Sequence, residues 1–229
     1  MRHCFSHIFM SNILGAEFFG IIVTTIVVTI SSTVISAIFG VPMGLWLQNV
    51  RFKGKTFVVT FNRTMMAMPP VVAGLIVFLL LMRNGPLGFL GLLFTTPAMI
   101  IAQVFLITPI ICGIVYNAAE RNAKGIRLFA KTMGASKKQT LVLLLKELSG
   151  SIYFAIIAGF GRATSEVGAI MIVGGNIRHH TRTMTTSIVM LRNQGDFALA
   201  IIFGVILMAI AFSLQMLANY IYNNSSQAG

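Results

Sequence analysis

Charge is scarce in this sequence. Of its 229 residues, 10% are Asp, Glu, Lys or Arg, and only 5 are acidic against 17 basic. An ordinary soluble domain is about 25% charged, because it needs polar surface to face water. A soluble fold is therefore excluded. The two cysteines, Cys4 and Cys112, do not make a disulfide framework, and Cys112 falls within an apolar run where it reads as a small hydrophobe. No metal-ligand spacing occurs: the pair His179 and His180 has no partner ligands at suitable distance and reads as a polar loop feature. There is no phosphate-cradling P-loop, so this chain does not itself hydrolyse ATP, and no nucleophile–base–acid set stands out. No Ser/Gly/Pro-rich or low-complexity tract divides the chain, which leaves one domain, 1–229, with a frayed tail at 223–229.

What is present is apolar: 56% of the residues are hydrophobic. A helix needs about 20 apolar residues to cross a bilayer. Five stretches qualify: 18–47, 57–82, 97–116, 151–173 and 197–222. They are far longer than barrel strands of about 10 residues, so an all-α integral membrane protein with five transmembrane helices is expected. Trp46, Tyr116, Tyr153, Tyr220 and Tyr222 fall near span ends, as interfacial anchors do. The first run is too long for a signal-peptide core and lacks a clear cleavage site, so it is expected to stay as the first span. The formal net charge of +12 lies in short segments between apolar runs rather than among stacking aromatics, which fits topology and not nucleic acid. Arg51, Lys53, Lys55 and seven bases between Arg121 and Lys146 outnumber Arg2, Arg83, Arg178, Arg182 and Arg192 on the other side. The richer side is cytoplasmic, which puts the N-terminus outside and the C-terminus inside.

The cytoplasmic segment 117–150 carries the most information. Ile126, Phe129, Ala130 and Met133 recur at i, i+3, i+4 and i+7, one apolar face of a short helix. Gly134 follows, where a left-handed residue would end it. Ser136 then stands three residues before Gln139, a capping box that starts a new helix running into span four. Two readings stay open: a helix docking into a groove on a cytoplasmic partner, or one lying on anionic lipid headgroups.

Polar residues inside the spans are candidates for the path. Arg162 and Glu166 stand four apart in the fourth run, on one helix face, either as a structural pair or beside the pore or gate. Pro69 and Pro70 interrupt the second run after Arg63 and should kink it, either lining the path or serving packing alone. Thr24, Thr25, Thr29, Ser31, Ser32 and Thr33 enrich the first span in hydroxyls, which bond within the bundle or form a polar pore wall. Arg178, Arg182 and Arg192 in the outer segment 174–196 could meet acidic groups on a binding protein or stay solvated.

The run from Leu128 to Ser136 resembles the cytoplasmic signature of ABC importer permeases, Glu-Ala-Ala, three residues, Gly. Ala130 and Gly134 match it, whereas Leu128 and Phe129 replace the Glu and first Ala, and Glu147 replaces the Pro of the downstream Ile-x-Leu-Pro. The likeness continues through Gly159–Ala169, Met171–Arg178, Thr181–Ile188 and Gly195–Ala198. This order resembles the molybdate/tungstate branch of these permeases, the tungstate type above all. The resemblance implies a type I (MetI-like) permease core in a prokaryotic cell membrane, with Ile126, Phe129, Ala130, Met133 and Gly134 coupling to an ATPase. It implies a homodimer, two cytoplasmic ATPase subunits that bind ATP and Mg, an external oxyanion-binding protein, and no cofactor in this chain. Tungstate is the substrate so implied. Molybdate and sulfate importers are the near alternatives and a passive anion channel the distant one, which would need no docking helix.

Overall fold

The structure, a computed structural model, describes residues 17–227, and among these the regular structure is entirely helical. Lipid offers the backbone no hydrogen-bond partner, so apolar runs of this length satisfy themselves as helices. The α-helices are α1 (Phe18–Asn49), α2 (Lys55–Met66), α3 (Pro70–Leu81), α4 (Thr96–Thr132), α5 (Lys137–Glu147), α6 (Ser149–Ser165), α7 (Gly168–Gly174), α8 (Met184–Asn193) and α9 (Phe197–Gln227). Three are long and apolar enough to cross a membrane: α1, α4 and the Phe197–Tyr220 part of α9. Two bent pairs, α2 with α3 and α5 with α6, bring the number to as many as five when each pair is one span.

The bends have local causes. Between α2 and α3 the chain turns by 104°. Pro69 is extended there, and Pro70 opens α3 at a position whose N–H needs no partner. α5 and α6 meet at Leu148 with a bend of 56°.

Several helix boundaries differ from the sequence expectation: the helix that starts at Lys137 stops at Glu147 instead of running on into the fourth span, and α9 continues to Gln227 through most of the stretch read as a frayed tail. The amphipathic segment is not a separate short helix: α4 runs unbroken for 37 residues from Thr96 to Thr132. Nothing after Tyr116 breaks it, and Ala119, Ala123 and Ile126 continue its packed face against Leu144 and Leu148. The fourth run does the opposite. Expected as one helix over 151–173, it ends at Ser165, and the separate seven-residue α7 begins at Gly168.

The described residues gather into two compact units. One comprises residues 17–32, 69–103 and 163–227. Ile21, Met184, Leu191, Ala200 and Phe203 form a core within it, with Phe18 set edge-on to Phe203 at 5.5 Å between ring centres. The other comprises Thr33–Met68 and Val104–Arg162. Leu47, Val59 and Tyr116 pack together there, beside the α4–α5 cluster. In this unit Pro109 is accommodated inside α4, where its carbonyl accepts from Asn62 Nδ2 at 3.1 Å.

Candidate functional site

The segment around Gly134 is built from its own sequence. Gly134 is left-handed (φ 68°), a conformation glycine adopts without steric cost. The Ala135 N–H reaches back to the Ala130 carbonyl at 2.9 Å, which closes the end of α4. Ser136 then accepts from the Gln139 N–H, and Gln139 Oε1 accepts from the Ser136 N–H at 2.8 Å: the expected capping box.

The apolar positions expected to form one docking face are divided. Ala130 is buried, and half-buried Ile126 packs on the cluster of Ala119, Ala123, Leu144 and Leu148. Phe129 and Met133 face outward at 58% and 70% exposure, together with Leu128. The first two residues anchor the segment; the others present an apolar surface. Leu141, Val142 and Leu145 on α5 are also exposed. Sequence reading missed them, because a run of leucines leading toward a span looks like the start of that span.

Basic residues here are partly committed. Arg127 Nη2 donates to Gln48 Oε1 at 2.7 Å, and Lys55 Nζ donates to the Gln48 carbonyl at 3.2 Å. Lys55 also lies 4.0 Å from Glu120 and above the Tyr116 ring. A cleft of about 450 Å³ beside them is lined by Asn49, Arg127, Ala135, Lys137, Thr140 and Leu144, among others.

The second group lies in the other unit, where α3 meets α7. α3 packs on α7 so closely that a side chain at Gly74 would start 2.6 Å from the Ala169 Cα. Only glycine permits that approach. Pro69 is exposed and Pro70 half-buried at the start of α3. Glu166 is 4% exposed; its Oε1 accepts from the Ala169 N–H at 3.1 Å and its carbonyl from Thr185 Oγ1 at 3.2 Å. The carboxylate thus takes up one of the N–H groups that the start of α7 leaves without a helical partner. Arg162 and Glu166 were expected on one helix face. Glu166 lies just beyond the end of α6 at Ser165, so the two do not share one continuous helix.

Four of the six hydroxyl residues singled out in α1 turn inward, while Thr24 and Ser31 are half-buried. Thr25, Thr29, Ser32 and Thr33 are buried. Thr25 Oγ1 donates to the Ile21 carbonyl at 2.7 Å and accepts from the Met184 N–H at 2.9 Å, at the start of α8. Ser32 Oγ donates to Gln103 Oε1 at 2.5 Å. Bonds within the bundle account for these two, as the first of the sequence readings has it.

In the unit that holds α3 and α7, Glu17 pairs with Arg178 and Arg182. Its Oε1 accepts from Arg178 Nε at 2.9 Å and from Arg182 Nη1 at 3.1 Å, and its Oε2 accepts from Arg178 Nη2 at 2.5 Å. The Arg178 hydrogen bond, aided by the charges of Arg178, Arg182 and His179, lowers the Glu17 pKa despite burial, and the same bond raises that of Arg178. The segment between them is tightly tied: Thr181 Oγ1 donates to the Gly174 carbonyl and accepts from the Ile177 N–H. Arg178 and Arg182 are therefore not simply solvated, while Arg192 is exposed. Glu17 was missed in the sequence because its partners lie 161 and 165 residues away.

Comparison with known proteins places these features in a family. The chain is 39% identical over 199 residues, 87% of both chains, to the tungstate uptake system permease protein TupB of Peptoclostridium acidaminophilum. It is 37% identical over 168 residues to the TupB of Campylobacter jejuni, covering 73% of this chain and 70% of that one. Its fold is that of a bacterial ABC transporter involved in the import of the acidic polysaccharide alginate, with a TM-score of 0.71 at 20% identity over 94% of this chain and 82% of the other. Residues 40–225 match the family model for binding-protein-dependent transport system inner membrane components. With that match spanning segment 117–150, α3, α7 and most of the spans, this chain belongs to the family of inner-membrane permease components of binding-protein-dependent ABC transporters.

Proposed function

We propose that this chain is the permease subunit of an ATP-driven importer that brings tungstate into the cell. The observation that carries the reading is the outward pair Phe129 and Met133, held on a capped segment of a membrane protein whose sequence carries no P-loop. Exposed apolar side chains on a rigidly anchored helix end are what a partner groove can grip. The tungstate assignment is supported by the TupB relatives at 39% and 37% identity.

In this reading the whole chain, 1–229, is one transmembrane permease domain, N-terminus outside and C-terminus inside. Two copies form the path, and two cytoplasmic ATPase subunits, which bind ATP and Mg, dock on segment 117–150. An external oxyanion-binding protein delivers the anion. Closure of the ATPases moves Phe129 and Met133, with Ile126, Ala130 and Gly134 as their seat, and α5 and α6 carry the displacement along the chain. The broken helices change their packing in response, a shift between two discrete arrangements. Pro69, Pro70, Arg162 and Glu166 belong to the path or its gate. Their backbone breaks are of the kind tolerated at membrane depth only where protein or a water-filled cavity surrounds them.

Co-expression with a candidate importer ATPase tests the reading. The wild-type chain is expected to capture the ATPase, and Phe129→Asp to lose it while remaining in the membrane. A wild-type chain that captures no ATPase, yet passes tungstate across vesicles without ATP, would make it a passive channel.

A further inference from the structure

A glutamine amide deep in an apolar helix must be paired at both ends, because lipid and hydrocarbon side chains offer it nothing. Gln103 sits in the apolar part of α4 and is fully buried. Its Oε1 accepts from Ser32 Oγ at 2.5 Å, and its Nε2 donates to the Ala163 carbonyl at 3.0 Å.

The second partner matters most. Ala163 lies in the last turn of α6, two residues before the helix ends at Ser165. Carbonyls in a last turn have no helical N–H to accept from. The Glu166 N–H approaches this one only at 3.4 Å. Gln103 therefore supplies its main donor, from a residue 60 positions away. Three residues further on, Glu166 caps the start of α7 and Thr185 takes the Glu166 carbonyl. The break between α6 and α7 is thus stitched on both sides, by Gln103 upstream and by Glu166 with Thr185 downstream. Directly beyond it Ala169 seats on Gly74 of α3, with no room for even a methyl group.

We propose that Gln103 is a positioning residue of the transport step. By holding the Ala163 carbonyl it fixes where α6 stops and α7 starts, and so sets how a displacement arriving along α6 shifts α7 on α3. This rests on the importer reading above. It assigns Gln103 no contact with the anion and no part in ATPase docking; its role is the amount of anion moved for each ATP consumed.

The test is tungstate uptake per ATP hydrolysed, in proteoliposomes holding this chain with its ATPase and oxyanion-binding partners. A wild-type chain with no ATP-dependent uptake would sink the importer reading and this proposal with it. With wild type active, Gln103→Met keeps the length of the side chain and removes both bonds. Its complex yield and ATPase rate are expected within about twofold of wild type, while uptake per ATP falls about tenfold. Gln103→Glu is the rescue. A carboxyl in so apolar a site stays protonated and can still donate to the Ala163 carbonyl, so at least about half the wild-type ratio should remain. Ser32→Ala leaves the Ala163 bond and removes the other, for an expected fall of about threefold at full complex yield. An unchanged ratio in Gln103→Met overturns the proposal, as does Gln103→Glu no better than Met. Parallel loss of yield, ATPase and uptake in Gln103→Met, with Ser32→Ala like wild type, makes the residue a packing element only and overturns it too.

Discussion

The segment at Gly134 and the break at Glu166 both interrupt a helix, yet they are assembled over different distances along the chain. At Gly134 each bond that ends one helix and starts the next joins residues no more than five positions apart, from the Ala135–Ala130 closure to the Ser136–Gln139 box. At Glu166 the carbonyl that ends α6 is held by Gln103, and the Glu166 carbonyl by Thr185. The first leaves apolar side chains facing outward; the second buries a carboxylate and an amide. An interruption on an exposed surface can be built locally. A buried one has to satisfy its polar groups from within the protein, and the partners that do so here come from elsewhere in the fold.

That contrast can be broken or sharpened by substitution. The largest effect is expected from Phe129→Asp, which puts a charge where an apolar groove should close. ATPase capture in a pull-down should fall about a hundredfold, with the membrane protein itself intact. Gly74→Leu comes next. It forces α3 off α7 at a cost of about 1–3 kcal/mol, lowering the melting temperature in detergent and abolishing uptake while ATPase capture persists. Retained uptake would mean that the α3–α7 contact is not used. Glu166→Leu removes the cap on α7 and should cost about 1–2 kcal/mol, whereas Glu166→Gln keeps an acceptor oxygen for the Ala169 N–H and should cost less. If both variants also keep wild-type anion preference, Glu166 acts on gating or assembly rather than selection. Ser136→Ala removes an exposed cap, for about 1 kcal/mol or less, and should weaken ATPase capture only slightly.

The smallest effect is a pH dependence at Glu17. Its folded pKa lies below the ordinary 4.5, chiefly through the Arg178 hydrogen bond. The stability it contributes is therefore fully present above about pH 4.5 and is lost as pH falls through the folded pKa. Melting curves below that pH should fall more steeply for wild type than for Glu17→Gln. Equal slopes would show that the Glu17–Arg178 pair contributes nothing measurable.

The legible and illegible parts of the sequence follow the same division. The apolar runs, the Pro69–Pro70 break, the left-handed Gly134 and the capping box could all be read, because each depends on neighbours a few residues away. The continuation of α4 to Thr132 was missed because an amphipathic pattern signals a helix without saying whether it is separate from the span before it. The end of α6 at Ser165 was missed for a different reason. Arg162 and Glu166 have the spacing of a helical pair, and nothing local marks the stop; Gln103, its main determinant, lies in another span. A lone amide in an apolar run was the one available signal. Arg178 and Arg182 were visible, but their partner Glu17 was not, since pairing at such separation leaves no trace in the order of residues.

ATP-dependent tungstate uptake by the reconstituted complex tests the central claim most directly. With ATP on the side of the ATPase and the oxyanion-binding protein on the other, the wild-type chain should accumulate tungstate. Omitting ATP, or substituting Phe129→Asp, should abolish uptake. Tungstate passage that is independent of ATP and unaffected by Phe129→Asp would contradict the account.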